Sequence, residues 1–125
     1  MKIFLVLTAL LGALGVVLGA LGAHALEAKL TASQLATWET AAKYQLIHVV
    51  ALLAILLHGS DKLKLPAIMF LIGIVLFSGS LYLLSVKDVL ALGSLTKIIG
   101  PITPLGGLTL LVGWLTLAWQ FFKQF

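Results

Sequence analysis

The chain has 125 residues, 62% of them apolar and 10% charged, and its net charge of +4 comes from eight lysines against four acids. A soluble domain of this length cannot hide that much apolar surface, so lipid must be the solvent for most of it. The lysines stand singly at the ends of apolar runs, not in a stripe with interleaved aromatics, which argues against nucleic-acid binding. The lack of cysteine excludes disulfides, thiolate metal sites and a cysteine nucleophile.

A helix that crosses a bilayer needs about 20 apolar residues, and four such runs occur. The first covers residues 3–23. In it Gly12, Gly15, Gly19 and Gly22 are spaced three, four and three apart. At about 100° per residue they form one narrow stripe, which Thr8 joins. Ala9, Ala13, Ala20 and Ala23 lie beside it, and Leu10, Leu11, Leu14, Val17, Leu18 and Leu21 fall opposite. Glycine weakens a helix interior, so an aligned set predicts a smooth face for close helix packing in lipid. Ala23-His24-Ala25 has the small-x-small form that signal peptidase cuts. The run is nevertheless longer than a signal core of about 7–15 residues and is sorted by face, so a permanent membrane helix is expected.

The second span covers residues 38–57, with a polar helical lead-in from Ala32. Thr31 and Gln34 fit a capping box at its start, and His58-Gly59-Ser60-Asp61 stops it. Polarity inside a span marks the usual place to look for function, and this span holds most of it, in TWETAAKYQLIH. Trp38, Ala41, Tyr44, Gln45 and His48 share one side of the helical wheel and are expected to face protein. Glu39 and Lys43 form an i,i+4 pair on the other side, toward headgroups or water. His48 is the leading ligand or proton-relay candidate, with Gln45 and Tyr44 beside it and His24 and Trp38 nearer the membrane surface. The competing reading is a neutral imidazole that bonds another helix. His24 and His48 should lie roughly 15 Å apart along the axis, and no HxxxH, HExxH or carboxylate cluster appears, so no metal centre is expected.

The third span, residues 65–84, starts with Pro66 in its first turn. Gly73 and Ser80 share a small-residue face, and Ser78, Tyr82 and Ser85 another. No Asp or Glu lies at membrane depth to orient a histidine, so a serine nucleophile is not expected. Residues 85–104 suggest a short interfacial or re-entrant segment. The fourth span, residues 104–122, is expected to begin at Thr103-Pro104 as N-cap and first helical residue. Its N-terminus, with Gly106, Gly107 and nearby Lys97, could then receive an anion or a lipid headgroup. Trp119, Phe121 and Phe122 suit a membrane interface.

Lys2, Lys62, Lys64 and Lys123 fall on one side of the membrane, and Lys29, Lys43, Lys87 and Lys97 on the other. The count is tied. Lys62 and Lys64 crowd one very short loop and Lys2 precedes the first span, so both termini are expected in the cytoplasm.

Taken in order, LGALGAHAL, WETAAKYQLIH, LFSGSLYLL and GPITPLGG resemble the small bacterial membrane proteins of domain-of-unknown-function family four-twenty-three, which has eukaryotic transmembrane relatives. The resemblance covers nearly the whole chain. It implies a four-helix membrane protein without established activity. The family's characteristic positions would fall on Gly22, His24, Trp38, Tyr44, Gln45, His48, Ser78, Gly79, Ser80, Tyr82, Gly100, Pro101, Thr103, Pro104 and Gly107.

The expected fold is an all-α, four-helix transmembrane bundle forming one domain. The expected function is non-enzymatic and without cofactor: an accessory or scaffold protein of the bacterial cytoplasmic (inner) membrane, packing laterally against itself, lipid or another membrane protein. Translocation of protons or a small solute past His48 is one alternative, and haem or quinone binding at His48 is another.

Overall fold

A computed structural model describes residues 1–124 of the chain. The described residues are helical with turns between, in five α-helices: α1 (Lys2–Ala23), α2 (Ala32–His58), α3 (Lys64–Gly73), α4 (Gly79–Ser85) and α5 (Thr96–Gln124). A π-helical segment, Ile74–Ser78, joins α3 to α4 without a break, so the two form one span. Four helical stretches are long and apolar enough to cross a membrane: Lys2–Ala23, Ala32–His58, Asp61–Ser85 and Gly93–Gln124.

Local chemistry sets the ends of α2. The Thr31 side chain accepts from the Gln34 backbone N–H, and the Gln34 side chain accepts from the Thr31 backbone N–H, both at 3.1 Å. This capping box satisfies two donors that the first turn would otherwise leave orphaned. Gly59 ends the helix with φ 75°, a left-handed conformation that a side chain would oppose.

The spans pack as neighbours in chain order. α1 lies along α2; α2 packs on α3, the π segment and α4; these in turn pack on α5. The apolar core sits among the last three spans and includes Leu52, Ile55, Phe70, Ile74, Leu110 and Leu117. α1 is thus an outrigger on a three-span centre.

The buried line of α1 is Thr8, Gly15 and Gly22, with Leu11, Gly12, Leu18 and Gly19 partly covered beside it. Leu11 and Leu18 therefore flank the glycines, where the wheel had placed them opposite. The contact follows steps of three and four from Thr8 to Gly22, and these two residues fall within that strip. The alanines at 9, 13, 20 and 23 are exposed.

The contact between the third and fourth spans is also built on small residues. Gly73 lies against Leu110, Gly113 against the Phe70 ring and Gly106 against the Phe77 backbone. Ser80 and Thr103 hydroxyls meet at 2.6 Å in the same register. Stepping down one helix by three or four residues matches stepping up the other, as expected for antiparallel neighbours.

The start of the last span differs from expectation. Residues 86–91 are turns, Gly93–Leu95 is a 3-10 turn, and α5 begins at Thr96. Pro101 and Pro104 lie inside the helix. Each removes an N–H, so the carbonyls of Lys97 and Gly100 lose their i+4 donors. Both prolines are exposed, so neither ring obstructs a neighbour. The Ser80–Thr103 bond and the Gly106–Phe77 contact anchor the same turns to the third span. Such anchoring is how membrane helices tolerate proline.

Candidate functional site: the buried polar seam

α2 presents a line of polar groups to its neighbours because Trp38, Ala41, Gln45 and His48 recur at steps of three and four. All four are buried. The Trp38 indole N–H donates to the Leu18 carbonyl of α1 at 2.7 Å. Seven residues on, the Gln45 amide donates to the Leu11 carbonyl, also at 2.7 Å. Each of these carbonyls lies four residues before a glycine, Gly22 and Gly15 respectively. Helix side chains lean toward the N-terminus, so a side chain at i+4 would cover the carbonyl of residue i. The glycines leave these two oxygens open. A Cβ on Gly22 would meet the Trp38 ring at 2.5 Å, and one on Gly15 would meet Leu46 at 2.7 Å.

On its other side Gln45 faces α4. The Tyr82 hydroxyl donates to Gln45 Oε1 at 2.7 Å, and the Tyr82 ring packs edge-on against Trp38 with centroids 4.7 Å apart. Gln45 thereby ties α1, α2 and α4 through one carboxamide. The Ser78 hydroxyl, at the end of the π segment, donates to the Ala41 carbonyl at 2.8 Å.

His48 is 4% exposed. Its Nδ1 lies 2.7 Å from the Tyr44 carbonyl, one turn back. Its Nε2 lies 2.9 Å from the Trp114 indole nitrogen of α5. A carbonyl can only accept and an indole N–H can only donate. Both partners therefore select one species, the neutral imidazole protonated on Nδ1. Phe70 and Trp114 close around it, with ring centroids 5.5 and 5.8 Å from the imidazole.

The other sequence candidates separate into groups. Tyr44 stands at the rim of the seam, not in it: 40% exposed, it stacks on His48 and tilts against Phe77. It is three residues from Ala41 and four from His48, yet its side chain leaves the packed face toward the outside. His24 caps the end of α1 and is exposed. Glu39 and Lys43 are exposed on the far side of α2. The anion site expected at the fourth span is not assembled. Lys97 is in the first turn of α5, whereas Thr103, Gly106 and Gly107 lie two to three turns inside it, where backbone N–H groups already serve the helix. Thr103 bonds Ser80, and Gly106 and Gly107 face Phe77. Among the described residues no group of three or more His, Cys, Asp or Glu could hold a metal ion.

Trp114 is the residue that sequence reasoning missed. It is 43% exposed, one edge toward the outside and its N–H toward His48. A tryptophan in mid-span still needs a partner for that N–H, and this was the available signal. Two polar ties near the surface were also illegible: Gln34 Nε2 to Asp88 Oδ2 at 2.7 Å, and Lys62 Nζ to Gln124 Oε1.

If the indole holds the imidazole as described, Trp114→Phe should lower stability by about 1 kcal/mol, the usual scale of an interhelical bond in lipid. It should also shift the Nε2 resonance of His48 in nitrogen-15 NMR. An unchanged resonance would mean that the bond does not form in the membrane.

Residues 18–107 match the family described as "Protein of unknown function (DUF423)". The chain is 44% identical to a UPF0382 membrane protein of Staphylococcus saprophyticus, over 98% of this chain and 99% of the relative. It is 42% identical to the UPF0382 membrane protein YwdK of Bacillus subtilis, over 92% of each. It is 40% identical to a UPF0382 membrane protein of Haemophilus influenzae, over 97% of this chain and 94% of the relative. No solved structure matches the chain. With the family match covering most of its length and relatives similar from end to end, the chain belongs to the DUF423 family of membrane proteins.

Proposed function

We propose that this protein is a non-catalytic accessory or scaffold component of the bacterial cytoplasmic membrane, acting by lateral association with itself or another membrane protein. The observation that carries this reading is how the polar groups at membrane depth are used. Both nitrogens of His48, both ends of the Gln45 amide, the Tyr82 hydroxyl and the Ser78 hydroxyl bond other parts of the fold. A proton relay or a haem ligand at His48 would need Nε2, whose lone pair receives the Trp114 N–H. Translocation and cofactor binding are therefore the weaker readings.

The surface for association is not the smooth glycine face of α1. The glycine stripe faces α2 of the same chain, so it is not the face offered to a partner. The outer face of α1, with Leu10, Leu14 and Val17 exposed, takes its place. Both termini are assigned to the cytoplasm, with Lys62 and Lys64 in the connection between the second and third spans as support.

The cysteine-free chain suits a direct test. Single cysteines at Val17 and at Gly19, crosslinked in native membranes, should differ: Val17→Cys gives an intermolecular product and Gly19→Cys does not. No product from Val17→Cys, Leu14→Cys or Leu10→Cys, together with proton flux in liposomes abolished by His48→Ala, would replace this reading with translocation.

A further inference from the structure

The polar seam occupies the middle of the molecule and the end near Trp38. At the opposite end, where α1 begins and α2 finishes, α1 and α3 diverge across α2 and leave a cleft of about 300 Å³. That is the lower end of the range for ligand pockets. Its floor is Leu52 and Ile55 of α2, and its walls are Phe4 and Thr8 of α1 and Ala67 and Ile68 of α3. The Thr8 hydroxyl donates to its own helix, to the Phe4 carbonyl at 2.7 Å, so its proton is already engaged. Such a mainly apolar lining suits hydrocarbon better than water. Phe4 and Ile68 are 45% and 41% exposed on the outside of the bundle, so the cleft opens sideways into the bilayer.

The mouth differs from the interior. Ser60, Asp61 and Lys64 line it, and Lys2 follows Met1, another lining residue. Lys62, in the same short connection, is turned to Gln124 of α5 and does not line the cleft. One carboxylate, Asp61, thus stands beside two lysines, Lys64 and Lys2, at the level of the headgroups. Apolar depth under a net positive rim fits an amphiphile with a hydrocarbon chain and an anionic head.

We propose that this cleft is a binding site for one anionic phospholipid, with an acyl chain between α1 and α3 and its phosphate at Lys64 and Lys2. The inference stands independently of lateral association through the outer face of α1. Native mass spectrometry of detergent-solubilised protein, titrated with phosphatidylglycerol and with phosphatidylcholine of the same chains, tests it. One phosphatidylglycerol should be retained in preference to phosphatidylcholine. Lys64→Gln should weaken that retention about fivefold, the scale of one lysine near an anionic surface. Ile68→Trp, a plug placed on a wall residue outside the core, should abolish retention while leaving the melting temperature and helicity unchanged. Equal retention of both lipids, retention unaffected by Ile68→Trp, or a second copy of the chain in place of lipid would overturn the proposal. Should Ile68→Trp fail to fold, Lys64→Gln on the exposed rim decides alone.

Discussion

Leucine in place of Gly106 is expected to separate α5 from the third span and to lower stability by about 3 kcal/mol, the upper part of the range for overpacking. A Cβ at this position would meet the backbone of Phe77 and Leu76. Backbone cannot rotate aside as a side chain can, and here it belongs to the π segment, whose course is tied to α2 by Ser78. The loss would appear as a lower midpoint in denaturant or thermal unfolding of the solubilised protein. Gly79→Ala is the companion variant. Gly79 is helical and a Cβ there meets nothing within 4 Å, so alanine should stabilise by up to about 1 kcal/mol through helix propensity. A loss below 1 kcal/mol for Gly106→Leu would show that the two spans do not approach as closely as described.

Gln45→Leu is expected to be the most damaging single change in the seam, at about 2–3 kcal/mol. Two interhelical bonds disappear, each worth about 0.6 kcal/mol on average and up to about 1.7 in a bilayer. The Tyr82 hydroxyl is also left without its acceptor, which adds the cost of a stranded polar group. Tyr82→Phe alone should cost about 1 kcal/mol, because Gln45 keeps its bond to Leu11. The pair combined should cost less than the sum of the singles, since phenylalanine removes the group that Gln45→Leu strands. Strict additivity in that double-mutant cycle would dissolve the Gln45–Tyr82 interaction as an energetic unit.

The parts of this architecture that are local in sequence were legible. Thr31 and Gln34 are three residues apart and announce the start of α2; Gly59 announces its end; four glycines at helical spacing announce the packed face of α1. His48 and Gln45 were visible as polar residues on a buried side, but their partners were not. Trp114 lies 66 residues from His48, and Tyr82 lies 37 from Gln45. Nothing in a helical wheel says which neighbour a side chain meets. Thr103-Pro104 misled for a related reason. The dipeptide has the chemistry of a helix start, and only contacts with Ser80 and Phe77 carry the helix through it. The π segment had no sequence signal at all, since IVLFS is an ordinary apolar stretch.

The two ties that hold α1 end on peptide oxygens, those of Leu11 and Leu18. Every amino acid supplies that oxygen, so mutation at either leucine leaves the acceptor in place. The side chains at these two sites therefore matter for packing and not for the ties themselves, and the hydrogen bonding that attaches the first helix depends on Trp38, Gln45 and the glycines that uncover the oxygens.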